Sequence, residues 1–391
     1  MVPHIQVYGS YDAIRFASDR LMVQRALRSG PMPIRFRSDL DRIQAYRPGR
    51  AIAEVAAAYR LDTVVKLASN ESPEPPFPEV QAVIAAAVSG LNRYPDNARL
   101  DLTRALAGFY GIPADRIWCG GASNELTLIT GLSMTAPGTS AVYAWPSFSL
   151  YQIATRAGFG DDIAVPLDGD HRHDLTAMRA AVRPDTTVVY VCNPNNPTST
   201  HVPGDELEGF IDSIPEHVLV VIDEAYAEFA TAAGFRSMLP LAATRDNVMV
   251  TRTFSKVYSL AGLRVGYAVT APGSIAEFRR IQLPFTVNTL GEAAAVEALR
   301  HQDRVRERVA RNTAAVAFLT ASLREAGIPV ADSQANFVYA GFGERSGAVT
   351  EGLLRAGYIV RPALPAGWLR ITAGSPEENE GLVEALMRLL R

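Results

Sequence analysis

TRTFSKVYSLAGLRVGY, running from Thr251 to Tyr267, follows an apolar, strand-like run (Val248, Met249, Val250) and sets one lysine, Lys256, among hydroxyls, glycines and an arginine. Apolar surroundings disfavour the charged form of an amine. A lysine in that state is nucleophilic enough to form a Schiff base with an aldehyde. Arg264, eight residues on, offers a guanidinium fork to a phosphate, and Ser255 and Thr253 add neutral donors. An amine for an aldehyde and a fork for a phosphate together suggest pyridoxal 5'-phosphate. Taken alone, the stretch also reads as a structural loop with a surface lysine.

Outward from it, apolar runs at Ala141–Tyr143, Val188–Val191, Val218–Ile222 and Val248–Val250 alternate with helical patterns. Such runs read as fully buried strands of an α/β sheet covered by helices on both faces. Upstream, helices are expected over Ala51–Tyr59, Glu79–Val88 and Leu100–Tyr110, with a short strand at Val64–Ala68 and a proline-rich loop at 69–78. Beyond Pro284 one long helical pattern runs from Glu292 to Leu323. Strands at Asn336–Tyr339 and Trp368–Thr372 then mix with helices as a second, α+β domain.

Ligands of open α/β sheets sit beyond the carboxyl ends of the strands. After Ile117-Trp118-Cys119 come Gly120-Gly121-Ala122-Ser123, either an anion site at a helix start or a capped helix after a tight turn. Phe148, after the next strand, can stack on a flat ring or simply pack. Asn196 follows Val188–Val191 and can donate to a phenolate oxygen, or stand solvated in a proline turn. Asp223 closes Val218–Ile222, where a carboxylate is expensive unless it meets a cation such as a protonated pyridine nitrogen. Tyr226 lies three residues on. Arg370, inside Leu369–Thr372, is an edge-strand charge or a clamp for an amino acid's carboxylate; Arg361 reads as a structural ion pair. A Walker-type reading of Asp223 fails because no phosphate loop occurs.

The chain of 391 residues is 48% hydrophobic and 20% charged, with a net charge of -3 that argues against nucleic-acid binding. Two cysteines, Cys119 and Cys192, form no disulfide framework or metal spacing and fit a reducing cytoplasm. No apolar run approaches the roughly 20 residues that span a bilayer. In residues 1–31, Ile14, Ala17, Leu21 and Met22 share a helical face, which reads as a targeting segment, a docking helix or sequence ahead of a start at Met22 or Met32.

These pieces, with Ser69-Asn70-Glu71, Arg93-Tyr94-Pro95-Asp96 and Ala335-Asn336-Phe337, resemble the fold-type-I pyridoxal-phosphate aminotransferases, and most closely the histidinol-phosphate aminotransferase group. Asn196-Pro197-Thr198-Ser199-Thr200 looks like its actinobacterial aromatic-amino-acid (phenylalanine) branch. The resemblance implies a mostly parallel, seven-stranded-type sheet. It divides the chain into an extension (1–31), an arm with part of the small domain (32–90), a large cofactor domain (91–285) and a C-terminal small domain (286–391). It implies Lys256 as Schiff-base lysine and proton carrier, Asp223 on the pyridinium, Asn196 and Tyr226 on the phenolate, and Phe148 on the ring. Ala122, Ser123, Ser255 and Arg264 would hold the phosphate, joined by Tyr94 across a homodimer. Arg370 and Asn70 would bind substrate. One departure is Ser72-Pro73-Glu74-Pro75, which lacks the group's tyrosine and places Glu74 where it would repel a phosphate dianion. With Phe148 in place of a common tyrosine, this favours an aromatic amino acid as donor to a 2-oxo acid over histidinol phosphate. A related lyase or decarboxylase is the further alternative.

Overall fold

A computed structural model describes residues 34–46 and 48–391. The expectations for residues 1–31 lie outside the described residues. The described residues divide into two units, one ending at Arg42 and the other spanning Ile43–Arg391. In the first, Ser38–Arg42 makes a short 3-10 turn and Arg37 pairs with Asp39 at 3.5 Å.

The second unit contains β1 (Val65–Lys66), β2 (Ile117–Gly120), β3 (Ser140–Trp145), β4 (Asp161–Pro166), β5 (Thr186–Cys192), β6 (Leu219–Asp223), β7 (Val248–Thr253) and β8 (Gly266–Val269). It continues with β9 (Phe337–Gly341), β10 (Tyr358–Ile359), β11 (Arg361–Ala363) and β12 (Trp368–Thr372). Seven strands form one sheet in the order β2-β8-β7-β6-β5-β3-β4. The neighbours from β7 through β4 are parallel, and β8 alone runs against its neighbours β2 and β7. Alternate residues face opposite layers, as the pleat requires. Val189 and Val191 of β5 join a core with Leu207 and Phe210, whereas Val188 and Tyr190 join one with Trp118, Leu126 and Tyr151. This is the mostly parallel, two-faced α/β sheet expected from the apolar runs.

Differences lie where polar residues continue an element. β7 extends past Val250 through Thr253 because Arg252 is paired inside the protein with Glu224 at 2.7 Å and Glu228 at 3.0 Å. The helical pattern from Glu292 to Leu323 is two helices, Thr289–Leu299 and Gln302–Glu325. They part at His301, whose backbone leaves the helical region, and Glu297 accepts hydrogen bonds there from both Arg300 and His301. The helix expected from Glu79 begins at Pro78, whose missing N–H costs nothing in a first turn. The antiparallel sheet β11-β12-β9 and the parallel pair β1-β10 pack with Leu319, Leu323, Leu382 and Leu386 around a separate core.

Candidate active site

The register of the large sheet gathers the polar strand ends. Cys192 of β5 pairs with Asp223 of β6, and Asp223 with Thr251 of β7. Gly266 of β8 lies between Gly120 of β2 and Thr253 of β7. Asn196, Asp223, Tyr226 and Lys256 are thereby placed at one end of the sheet.

Lys256 is half-buried, and its Nζ donates to the Ser69 carbonyl at 3.2 Å, 5.6 Å from the centre of the Tyr226 ring. Burial pushes its pKa down to about 7; Arg370 and Arg264 push the same way, against Glu71 and Asp223. Asp223 is 3% exposed. Its Oδ2 accepts from the Tyr151 hydroxyl at 2.9 Å and its Oδ1 from the Ala225 N–H at 3.1 Å. Burial raises its carboxyl above the ordinary range, and these bonds oppose that rise. No cation among the described residues forms an ion pair with it, so a protonated ring nitrogen would meet a real deficit.

Arg370 is the complementary case. Its Nη1 donates to Asn196 Oδ1 at 2.6 Å and its Nη2 to the Ala68 carbonyl at 2.5 Å, while its buried Nε has no partner. Burial lowers its pKa, and no carboxylate among the described residues pairs with it. Tyr226 Oη accepts from Asn70 Nδ2 at 2.9 Å. Phe148, half-buried, stands edge-on to Tyr151 with ring centres 5.7 Å apart.

The anion end is a backbone cradle. Ala122 has φ +73°, and Ser123 is buried in the first turn of the helix Ala122–Met134. A Cβ on Gly266 would meet Ser123 N at 2.6 Å and Ala122 C at 2.8 Å, so only glycine lets β8 approach that helix start. Ser255 Oγ accepts from Thr253 Oγ1 at 3.0 Å and Arg264 Nη1 at 3.4 Å, and Arg264 also donates to the Ala261 carbonyl. Helix-start N–H groups, hydroxyls and a guanidinium without an acid partner among the described residues suit a phosphate.

Tyr94 does not join this group within the chain. It is 82% exposed and stacks on Phe285 with ring centres 4.7 Å apart. Arg361 pairs across strands with Arg370, its guanidinium 5.9 Å from the Tyr46 ring centre. The repulsion expected from Glu74 is overturned: Arg311 holds it in a two-pronged bond at 2.7 and 2.8 Å, with Arg308 at 3.4 Å. Two guanidiniums outweigh one carboxylate, and they hold its pKa below the ordinary range. The sequence reading missed Ser69 and Tyr151. A backbone carbonyl and a helical tyrosine carry no signal until the chain folds.

A profile described as "Aminotransferase class I and II" matches residues 62–386. An aromatic amino acid aminotransferase of Mycobacteroides abscessus is 41% identical over 357 residues, covering 90% of this chain and 98% of that protein. Histidinol-phosphate aminotransferase 2 of Ralstonia nicotianae is 40% identical over 352 residues, covering 88% and 94%. The crystal structure of histidinol-phosphate aminotransferase from Sinorhizobium meliloti in complex with pyridoxal-5'-phosphate superposes with a TM-score of 0.85 at 26% identity, covering 92% and 99%.

Proposed function

The chain belongs to the class I and II aminotransferases, pyridoxal 5'-phosphate enzymes of fold type I, and on that premise we propose that it moves the amino group of an aromatic L-amino acid to a 2-oxo acid such as 2-oxoglutarate. The observation that carries the reading is Arg370, a half-buried fork with a buried, unpartnered Nε and no acid partner among the described residues, beside the Lys256 amine. A carboxylate is its natural counterion. Phe148 and the absence of a tyrosine at 72–75 support an aromatic side chain over a phosphorylated one.

In this reading residues 91–285 hold the cofactor. Lys256 binds it through its ε-amine, Asp223 faces its ring nitrogen, Asn196 and Tyr226 its phenolate oxygen, and Phe148 its ring. Ala122, Ser123, Ser255 and Arg264 take its phosphate, with Tyr94 of the partner subunit. When bound, pyridoxal phosphate supplies an electron-accepting ring that stabilises the charge left by loss of the α-proton. Lys256 Nζ takes that proton and returns it, a task suited to an amine poised near pH 7. Asp223 keeps the ring nitrogen protonated because its own ionisation needs a cation. Arg370 orients donor and acceptor alike by their carboxylates. An exposed apolar patch of Tyr94, Phe285, Leu283 and Ile281 supports a homodimer. The buried free thiols of Cys119 and Cys192 support a reducing cytoplasm.

The second reading, histidinol phosphate as donor, is favoured by the neutralised Glu74 and by the Ralstonia relative. A donor screen of the purified protein against 2-oxoglutarate tests both. Phenylalanine is expected to exceed histidinol phosphate in kcat/KM by at least about tenfold. The reverse order establishes the second reading, and product formed without any oxo acid defeats transamination.

A further inference from the structure

The segment Leu67–Glu71 touches three of the groups discussed above. The Ala68 carbonyl accepts from Arg370, the Ser69 carbonyl from Lys256, and the Asn70 side chain donates to Tyr226. Asn70 is 1% exposed and sits at φ +53°. Its backbone N–H donates to Thr372 Oγ1 at 2.9 Å, and that hydroxyl donates in turn to Asn70 Oδ1 at 3.1 Å. Asn336 Nδ2 donates to the Asn70 carbonyl at 3.1 Å. With its oxygen taken by Thr372 at the end of β12, the amide has one orientation, which presents Nδ2 to Tyr226. Tyr226 Oη must therefore accept, and its own proton has to point elsewhere; no acceptor for it stands among the described residues.

We infer that Asn70 is a positioning residue, which by donating to Tyr226 Oη turns the Tyr226 proton toward the cofactor's phenolate oxygen. The inference rests on the reading of Tyr226 given above. A hydroxyl that accepts a hydrogen bond becomes a stronger donor, so the chain Thr372, Asn70, Tyr226 polarises toward that oxygen. Stabilising the phenolate makes the chromophore on Lys256 easier to deprotonate. Lys256, Arg370, Arg264, Glu71 and Asp223, the charged groups around it, are left in place by the substitutions below.

The test is an absorbance titration of the holoenzyme against pH. Tyr226→Phe is expected to raise the chromophore's midpoint. Asn70→Gly, which tolerates the positive φ, is expected to raise it by about half to one pH unit, the scale of one lost hydrogen bond. In the Tyr226→Phe background Asn70→Gly is expected to add nothing. Thr372→Val, which frees the amide to turn, is expected to shift the midpoint the same way by less, and carries the test if Asn70→Gly does not fold. An unmoved midpoint in folded, cofactor-loaded Asn70→Gly, or an equal shift without the Tyr226 hydroxyl, overturns the inference. A Tyr226→Phe enzyme with an unmoved midpoint overturns the assignment of Tyr226 itself, whereas a moved one beside a silent Asn70→Gly sinks only the role of Asn70.

Discussion

Lys256 pays in stability for its reactivity. Its ordinary pKa of 10.5 falls to about 7 on folding. Between those values the unfolded chain binds a proton that the folded chain does not, so stability of the cofactor-free protein rises with pH across that window. Below about pH 7 the whole cost is present. Lys256→Met is therefore expected to raise the melting temperature of the cofactor-free protein most at or below pH 7, with the gain fading toward pH 10.5; a constant gain at every pH would contradict the burial argument. In the holoenzyme, Lys256→Ala is expected to abolish borohydride tagging of the peptide containing residue 256 and to lose about 10²–10⁴-fold in turnover from proton transfer alone. For Arg370→Lys, kcat/KM for a carboxylate-bearing donor is expected to fall by about 30- to 1000-fold, a loss of about 2–4 kcal/mol, since a point charge cannot replace a two-pronged fork. Steady-state kinetics with phenylalanine measures it.

The meeting of β8 with the helix Ala122–Met134 is the tightest joint of the site. Gly266→Ala would drive a methyl against the backbone of Ala122 and Ser123, where no flexible side chain can yield. Overpacking of that kind costs about 1–3 kcal/mol. The expected result is a lower melting temperature together with weaker cofactor retention on dialysis, and retention unchanged from wild type would remove the cradle from the phosphate reading. The helix Gln302–Glu325 is joined to the proline-rich loop in a different way. Arg308, buried, donates to the carbonyls of Val257 and Pro75 and pairs with Glu74. Because the Glu74 pKa is lowered, its contribution is present above the ordinary 4.5 and is lost as pH falls through the lower, folded value.

At the scale of the whole molecule, Tyr94 stands exposed in its own chain, stacked on Phe285. If Tyr94 completes the neighbouring subunit's site, mixing Lys256→Ala subunits with Tyr94→Ala subunits regenerates one intact site per mixed dimer. Activity above the sum of the two variants is then expected after subunit exchange. Strict additivity, or a particle with the mass of one chain in analytical ultracentrifugation, would end the shared-site reading.

The sequence by itself determined the α/β class, the parallel strands and the strand ends on which Asn196, Asp223 and Lys256 stand. Apolar runs of strand length announce burial, and polar residues at their ends must be placed where the sheet stops. Where such patterns broke, it misled: Arg252 inside β7 depends on Glu224 and Glu228, 28 and 24 positions away, and the break at His301 turns on a backbone conformation that the helical pattern does not carry. Tertiary structure alone decided that Arg370 has no acid partner among the described residues, that Glu74 is neutralised, and that Thr372 orients Asn70 toward Tyr226. Those are statements about electrostatic and hydrogen-bond balance, and a balance exists only once residues roughly 300 positions apart share one desolvated space.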